Sequence, residues 1–153
     1  MAHRMNLLGC VPVLAGLALA ALPASGARPQ HRFAQALVNR MHRAHPEIEE
    51  IGIAVQFAGG CRTIASTDPG DVGERCESED RTPMRTGRIV VQREGKELDI
   101  SLPLRDASGR RVGSIGMELI PARGESRAAA IRKVKAIAAA MARQIPSKAR
   151  LLR

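Results

Sequence analysis

The feature that most constrains this chain is a stretch of alternating residues between Leu98 and Ile120, interrupted by a polar turn. In its first half every second residue is aliphatic, a period of two that is typical of a β-strand with one buried face. Asp106–Gly109 has the composition of a turn, and beyond it Met117 and its neighbours two positions away again fall on one side. The stretch therefore predicts an antiparallel hairpin whose apolar face needs a cover.

Shorter patterns before this hairpin predict one helix and three more strands. Apolar residues at steps of three and four indicate a helix over about 30–44, which Pro46 ends because the residue before a proline avoids helical geometry. Alternation predicts strands over Ile51–Phe57, Cys61–Ser66 and Arg88–Arg93. The first two of these strands lie close enough in sequence to form a second hairpin.

The segment Thr67–Gly87 shows no period of either kind and carries glycines, two prolines and many charges. We predict a long loop without secondary structure, and such loops inside a compact domain are either mobile or functional.

Behind the main hairpin, an apolar stripe with steps of three and four predicts a helix that begins near 124–126. Its remaining faces are basic, so the helix can pack on the sheet or lie on an anionic membrane surface, and the narrow stripe favours packing. The tail 147–153 is basic, and we expect it to be frayed.

Residues 1–27 have the pattern of an export signal. Arg4 is followed by an uncharged apolar run over 7–22, which is short for a membrane span, and then by small residues at a cleavage site near Ala27. We therefore expect a periplasmic or secreted protein. The domains predicted are a signal peptide over 1–27, one folded domain over 28–146 and the basic tail.

Export changes the interpretation of the cysteines. Cys10 would leave with the signal, and Cys61 and Cys76 would remain as a pair in a compartment where disulfides persist. A structural disulfide is the simplest prediction. Free thiols, or a redox or metal role, remain open, although the CxxC spacing typical of such roles is absent.

The formal net charge of +9 favours anionic partners. Nucleic acid is excluded as an expected partner by the predicted compartment and by the aromatic content, because the chain has two phenylalanines and neither tyrosine nor tryptophan. A small ligand, with an anion as one candidate, a membrane-bound sensor, or an acidic protein remain as possible partners. The charge could also serve solubility alone.

The sequence offers few candidate metal-binding or catalytic residues. His42 and His45 are three residues apart, a spacing that could bring two imidazoles to one metal, but no third ligand accompanies them. No motif of a hydrolase, a zinc protease or a nucleotide-binding loop is present, so we expect neither an enzyme nor a cofactor.

The predicted order of elements and three groups of residues resemble the Cache domains, which are extracytoplasmic PAS-like sensor modules. The groups are Ile64–Thr67, Gly73 after a short acidic turn, and Leu102–Gly116 with its Pro-x-x-Asp-x-x-Gly turn. The resemblance covers about 41–120. It implies an α+β, PAS-like fold, in which helices near the two ends of the chain cover a five-stranded antiparallel sheet.

The resemblance also implies a small-molecule pocket between the sheet and the long loop. By position, the resemblance implies five candidate ligand-binding residues, which are Ser66, Asp68, Arg75, Arg85 and Arg88. It leads to the hypothesis of an exported small-molecule-binding or sensor module without an output domain of its own. The alternative is a periplasmic structural or interaction module that docks its basic C-terminal helix on an acidic partner or a membrane.

Overall fold

The computed structural model describes residues 31–153, so the predicted export signal lies outside the described residues. Four helices and five strands follow one another as α1 (Arg32–Ala44), β1 (Glu50–Phe57), β2 (Gly60–Ser66), α2 (Ser78–Thr86), β3 (Val90–Glu94), β4 (Glu97–Arg105), β5 (Arg111–Leu119), α3 (Arg127–Ala142) and α4 (Lys148–Leu151).

The five strands form one antiparallel sheet in the order β2-β1-β5-β4-β3. The predicted α+β architecture with a five-stranded antiparallel sheet is confirmed, and the main hairpin, β4–β5, lies inside the sheet. Pro103 is tolerated in β4 because β3 pairs with β4 only as far as Ser101. At Pro103, β4 therefore has a neighbour on one side alone, and the missing N–H is not needed.

The core fills one face of the sheet. The alternating aliphatic residues of β4 and β5 are buried there, and α1 and α3 cover them with the fully buried Leu37, Val38 and Val134. The stripe of α3 is buried as well, so this helix packs on the sheet, as the narrow stripe favoured. None of the helices among residues 31–153 combines the length and the apolar character that a membrane crossing requires.

The prediction of a structureless loop over 67–87 is wrong in its second half, where α2 forms. A capping box starts this helix, in which the side chains of Glu77 and Asp80 each accept a hydrogen bond from the other's backbone. Gly87 ends it in the left-handed conformation, with φ 76°. Pro83 leaves the Glu79 carbonyl without its helical donor but does not end the helix.

The prediction of a frayed tail is also wrong. Leu151 is fully buried in the main core, and α4 is capped by the Ser147 side chain, which accepts from the Arg150 backbone N–H. The backbone of Phe33 in α1 donates to the Arg153 carbonyl at 3.0 Å. The last residues of the chain therefore pack against its first helix.

Candidate functional site

The second face of the sheet is polar, and it carries a row of carboxylates that only the strand register reveals. Glu50 of β1 lies opposite Glu118 of β5, which in turn lies opposite Asp99 of β4. Like charges directly opposite each other across strands destabilise a sheet. The stability of the sheet therefore does not explain why three acidic residues share one row.

The next row across the same face consists of small residues. Gly52, Gly116 and Ser101 lie side by side on β1, β5 and β4. A Cβ atom built on Gly52 would meet nothing within 4 Å, so the space above this row is open. The short side chains create a hollow over the middle of the sheet.

This hollow is a cavity of about 500 Å³ between the sheet, the segment after β2 and α2. Ten of the chain's fifteen carboxyl side chains line it, against a single cation, the exposed Arg75. From the sheet come Glu50, Glu94, Glu97, Asp99 and Glu118, and from the loop and α2 come Asp71, Glu74, Glu77, Glu79 and Asp80. The net charge of +9 had made an anion one candidate ligand, and the lining of this cavity does not support it.

The Cys61–Cys76 disulfide is present and anchors the cavity wall. It joins β2 to the residue just before the capping box of α2, with the two Cα atoms 5.3 Å apart. Both cysteines are buried and form a small cluster with Ala54, against which Met84 of α2 packs. The bridge therefore fixes one end of α2 over the sheet.

Partial burial and mutual repulsion perturb the carboxylates of the row. Burial raises the pKa of Glu50 to about 7, and Asp71 adds to the effect. Burial likewise raises the pKa of Glu118 to about 7, with a further contribution from Glu97. The pKa of Asp99 rises to about 6 through burial and then through the acidic residues of α2. These three groups change protonation near neutral pH.

The empty protein is therefore expected to be more stable in mild acid than in mild base. Because the folded state holds protons on Glu50, Glu118 and Asp99 that the unfolded chain releases, stability falls as the pH rises from about 4.5 to 7. We expect a melting temperature roughly 4 °C or more higher at pH 5.5 than at pH 8, measured by calorimetry. Glu118→Gln should flatten this slope. A melting temperature that rises from pH 5.5 to pH 8 contradicts the prediction.

Two of the predicted site residues, Ser66 and Asp68, lie beside the cavity without lining it. Ser66 is buried, donates to the Glu50 carboxylate at 3.0 Å and accepts from the Asp68 backbone N–H at 3.0 Å. Glu50, Asp68 and Asp71 can bring one carboxylate oxygen each within 4.8 Å of one another. Within residues 31–153 this is the one group of potential metal ligands so close together, and neither His42 nor His45 belongs to it. His45 instead contacts Glu47 at 3.2 Å.

The three predicted arginines do not come together. Arg75 lies at the rim of the acidic cavity. Arg85 lines a separate hollow with Arg81 on α2, and Arg88 is exposed beyond the end of that helix. Of the five predicted residues, Arg75 thus lines the cavity, and Ser66 and Asp68 lie close to Glu50 of its lining. The part that any of the five residues plays in ligand binding stays a prediction.

Sequence reasoning missed the carboxylate row. Asp99 is one of the polar residues that alternate with the aliphatic residues of the predicted strand, but its proximity to Glu118 and Glu50 depends on the register of three strands. A signal was present, because Glu50-x-Gly52 and Gly116-x-Glu118 place an acid and a glycine on the same strand face. Only the pairing shows that the two acids and the two glycines meet.

Comparison with known proteins finds the same fold among solved structures. No protein-family profile matches the chain, and no curated protein matches it. Solved structures do match. A protein named as a GAF sensor from Burkholderia vietnamiensis is similar with a TM-score of 0.53 and 16% identity, over 81% of this chain and 82% of that one.

Two further structures support the same fold. The GAF domain of A. aeolicus nlh2 gives a TM-score of 0.51 at 14% identity, over 78% of this chain and 83% of that one. A third structure is the inducer-binding domain of the PobR transcription factor from Acinetobacter, a double mutant in complex with 3-hydroxybenzoic acid. It is similar with a TM-score of 0.52 and 10% identity, over 76% of this chain and 96% of that one. The chain therefore has a GAF/PAS-like fold.

Proposed function

We propose that this protein is an exported PAS-like module that binds a small molecule in the cavity beneath α2 and reports its presence to a separate partner. The observation that carries the proposal is the cavity itself. Its volume of about 500 Å³ falls within the range of small-molecule sites. It also lies on the sheet face opposite the core, so a ligand there replaces water and no packed side chain.

Two features support export. Residues 1–27 have the sequence pattern of a cleaved signal, and Cys61 and Cys76 are joined in a bridge of the kind that persists outside the reducing cytoplasm. A periplasmic or secreted location, with a membrane-bound sensor or another protein as the receiver, follows from this proposal.

We infer binding without catalysis. The similar structures above are named as sensor, GAF and inducer-binding domains. The sequence carries no nucleophile with a neighbouring base in a recognised motif. Since a shared fold does not itself supply a reaction, the cavity is interpreted here as a receptor site.

The proposal is tested by filling the cavity. The open space above Gly52 lets the side chain of Gly52→Leu enter the cavity without meeting backbone. We expect this variant to remain folded and to lose the thermal shift that a panel of organic acids, amino acids and amines produces in the wild-type protein. Native mass spectrometry of the exported protein would show any retained small molecule.

Gly59→Leu is the matched control, because Gly59 lies in the β1–β2 turn and a Cβ there also meets nothing within 4 Å. It should leave the thermal shifts unchanged. If no compound shifts the wild-type protein, or if the shift survives in Gly52→Leu, the cavity is not the ligand site. Anionic vesicles that bind while the whole panel fails would favour the docking function of the basic C-terminal helix.

A further inference from the structure

The three carboxylates of the row have no ion-pair partner among residues 31–153. In the described part of the chain, the ion pairs of Asp106, Glu125 and Glu47 all lie outside it. None of them neutralises Glu50, Glu118 or Asp99. The row of carboxylates is thus assembled on rigid strands without a counter-charge.

A buried hydroxyl gives an independent indication of a ligand. Ser114 is fully buried, and its Oγ has no hydrogen-bond partner among residues 31–153. It lies on the same face of β5 as Gly116 and Glu118, directly opposite Ala54 of β1. Ala54 and Gly116 line the cavity, so the hydroxyl lies on the cavity side of the sheet, just beyond the lining residues. Buried polar groups are normally satisfied, so this hydroxyl, next to the inner end of the cavity, needs a partner that residues 31–153 do not supply.

The positions of the charges indicate a ligand with several cationic groups. Glu50, Glu118 and Asp99 form the floor, while Glu79 and Asp80 approach from α2 on the opposite side. A cavity of about 500 Å³ is far larger than one bare ion needs. A molecule that spans floor and roof can contact both groups of carboxylates.

The residue types also indicate which kind of cation. Recognition of methylated ammonium groups uses aromatic cages, and the cavity has no aromatic lining. The two phenylalanines of the chain, Phe33 and Phe57, pack against the main core instead. Carboxylates and serine hydroxyls are acceptors that match the three N–H donors of a primary ammonium group.

We propose that the cavity binds a small aliphatic molecule with two or more primary ammonium groups, a diamine or a linear polyamine. This rests on the proposed function and specifies the chemical class of its ligand. An amino acid fits less well, because its carboxylate would be left with the exposed Arg75 as the one cation of the lining.

Isothermal titration of the mature protein at pH 8 and physiological salt tests the proposal. The probes are 1,4-diaminobutane, spermidine, Mg²⁺, Ca²⁺, arginine and 3-hydroxybenzoate, each alone. We expect saturable 1:1 binding of spermidine, weaker binding of the diamine, and competition for the same site. Glu118→Gln should weaken spermidine binding at least about tenfold, since it removes a partly buried charge partner.

Glu49→Gln is the control, because it removes the same charge one residue from Glu50 on a side chain that is exposed and outside the cavity. An equal effect of Glu49→Gln and Glu118→Gln overturns the proposal, since it indicates attraction to the surface as a whole. Melting curves of both variants verify folding, and Glu118→Gln should be at least as stable as the wild type because it relieves repulsion.

The remaining outcomes separate this proposal from the broader one. Binding of 3-hydroxybenzoate that Gly52→Leu abolishes, with no binding of either amine, overturns the polyamine proposal and leaves the small-molecule site intact. Binding of Mg²⁺ or Ca²⁺ alone, lost on substitution of Asp68 and Asp71, replaces it with a metal site. If none of the probes or the wider panel binds, both proposals fail.

Discussion

Replacing Gly113 with alanine should destabilise the protein by about 2–4 kcal/mol, although only one methyl group is added. A Cβ at this position of β5 would overlap the backbone carbonyl oxygen of Ala54 and press on Val55 at 3.1 Å. The carbonyl belongs to a paired strand and cannot move alone, so β1 must shift against β5. The measurement is urea denaturation of the mature domain, compared with the wild type.

Gly52→Ala is the matched control, because it adds the same methyl group to the neighbouring strand where nothing lies within 4 Å. We expect a change of less than about 1 kcal/mol there, since no clash accompanies it. The two variants share composition, so any general effect of glycine replacement cancels. Equal destabilisation of both would show that β1 and β5 do not approach as closely as described.

The strands were predictable because their signal is local. A period of two requires no knowledge of what a strand pairs with, and every alternating aliphatic residue predicted for β4 is buried in the core. The resemblance to Cache domains predicted the PAS-like fold from the order of these elements, which is also read from the sequence alone. The comparisons support the GAF/PAS-like fold and leave the Cache type and the predicted export as proposals.

The predictions for two segments were wrong because the composition of these segments did not indicate a helix. α2 contains Pro83 and many charges, yet its capping box and terminal Gly87 were visible as Glu77, Asp80 and Gly87. In the C-terminal segment, Leu151 and Leu152 between basic residues form too short a pattern to predict packing against the core. Tertiary contact with α1 decides that segment.

The site depends on pairings that no single segment encodes. The chain is basic overall, but its acids are concentrated on one sheet face and on the helix above it. Net charge describes the average surface and therefore gave the wrong sign for this cavity. The role of Ser66 and Asp68, implied by the resemblance, stays a prediction, whereas the meeting of Glu50 and Glu118 required the register of β1 and β5.

Removing the Cys61–Cys76 bridge should affect both stability and ligand binding. The bridge closes a segment with a sequence separation of 15 residues, and in the chain-entropy estimate such a crosslink contributes about 3 kcal/mol. That segment contains Asp71 and Arg75 and leads directly into α2, so its release frees one wall of the cavity. The double variant Cys61→Ser, Cys76→Ser is therefore expected to lose roughly 3 kcal/mol in urea denaturation.

A measurement of ligand affinity distinguishes the effect of the disulfide on stability from its effect on binding. If the disulfide positions α2 over the carboxylate row, the double variant should bind spermidine at least about tenfold more weakly at a temperature where it is still folded, because the wall must be ordered on binding. A phosphine reductant should weaken binding equally in the wild type and have no effect on the variant. Lower stability with unchanged affinity would mean that the sheet face alone forms the site, since the carboxylates of Glu50, Glu118 and Asp99 are fixed by strand pairing and not by the bridge.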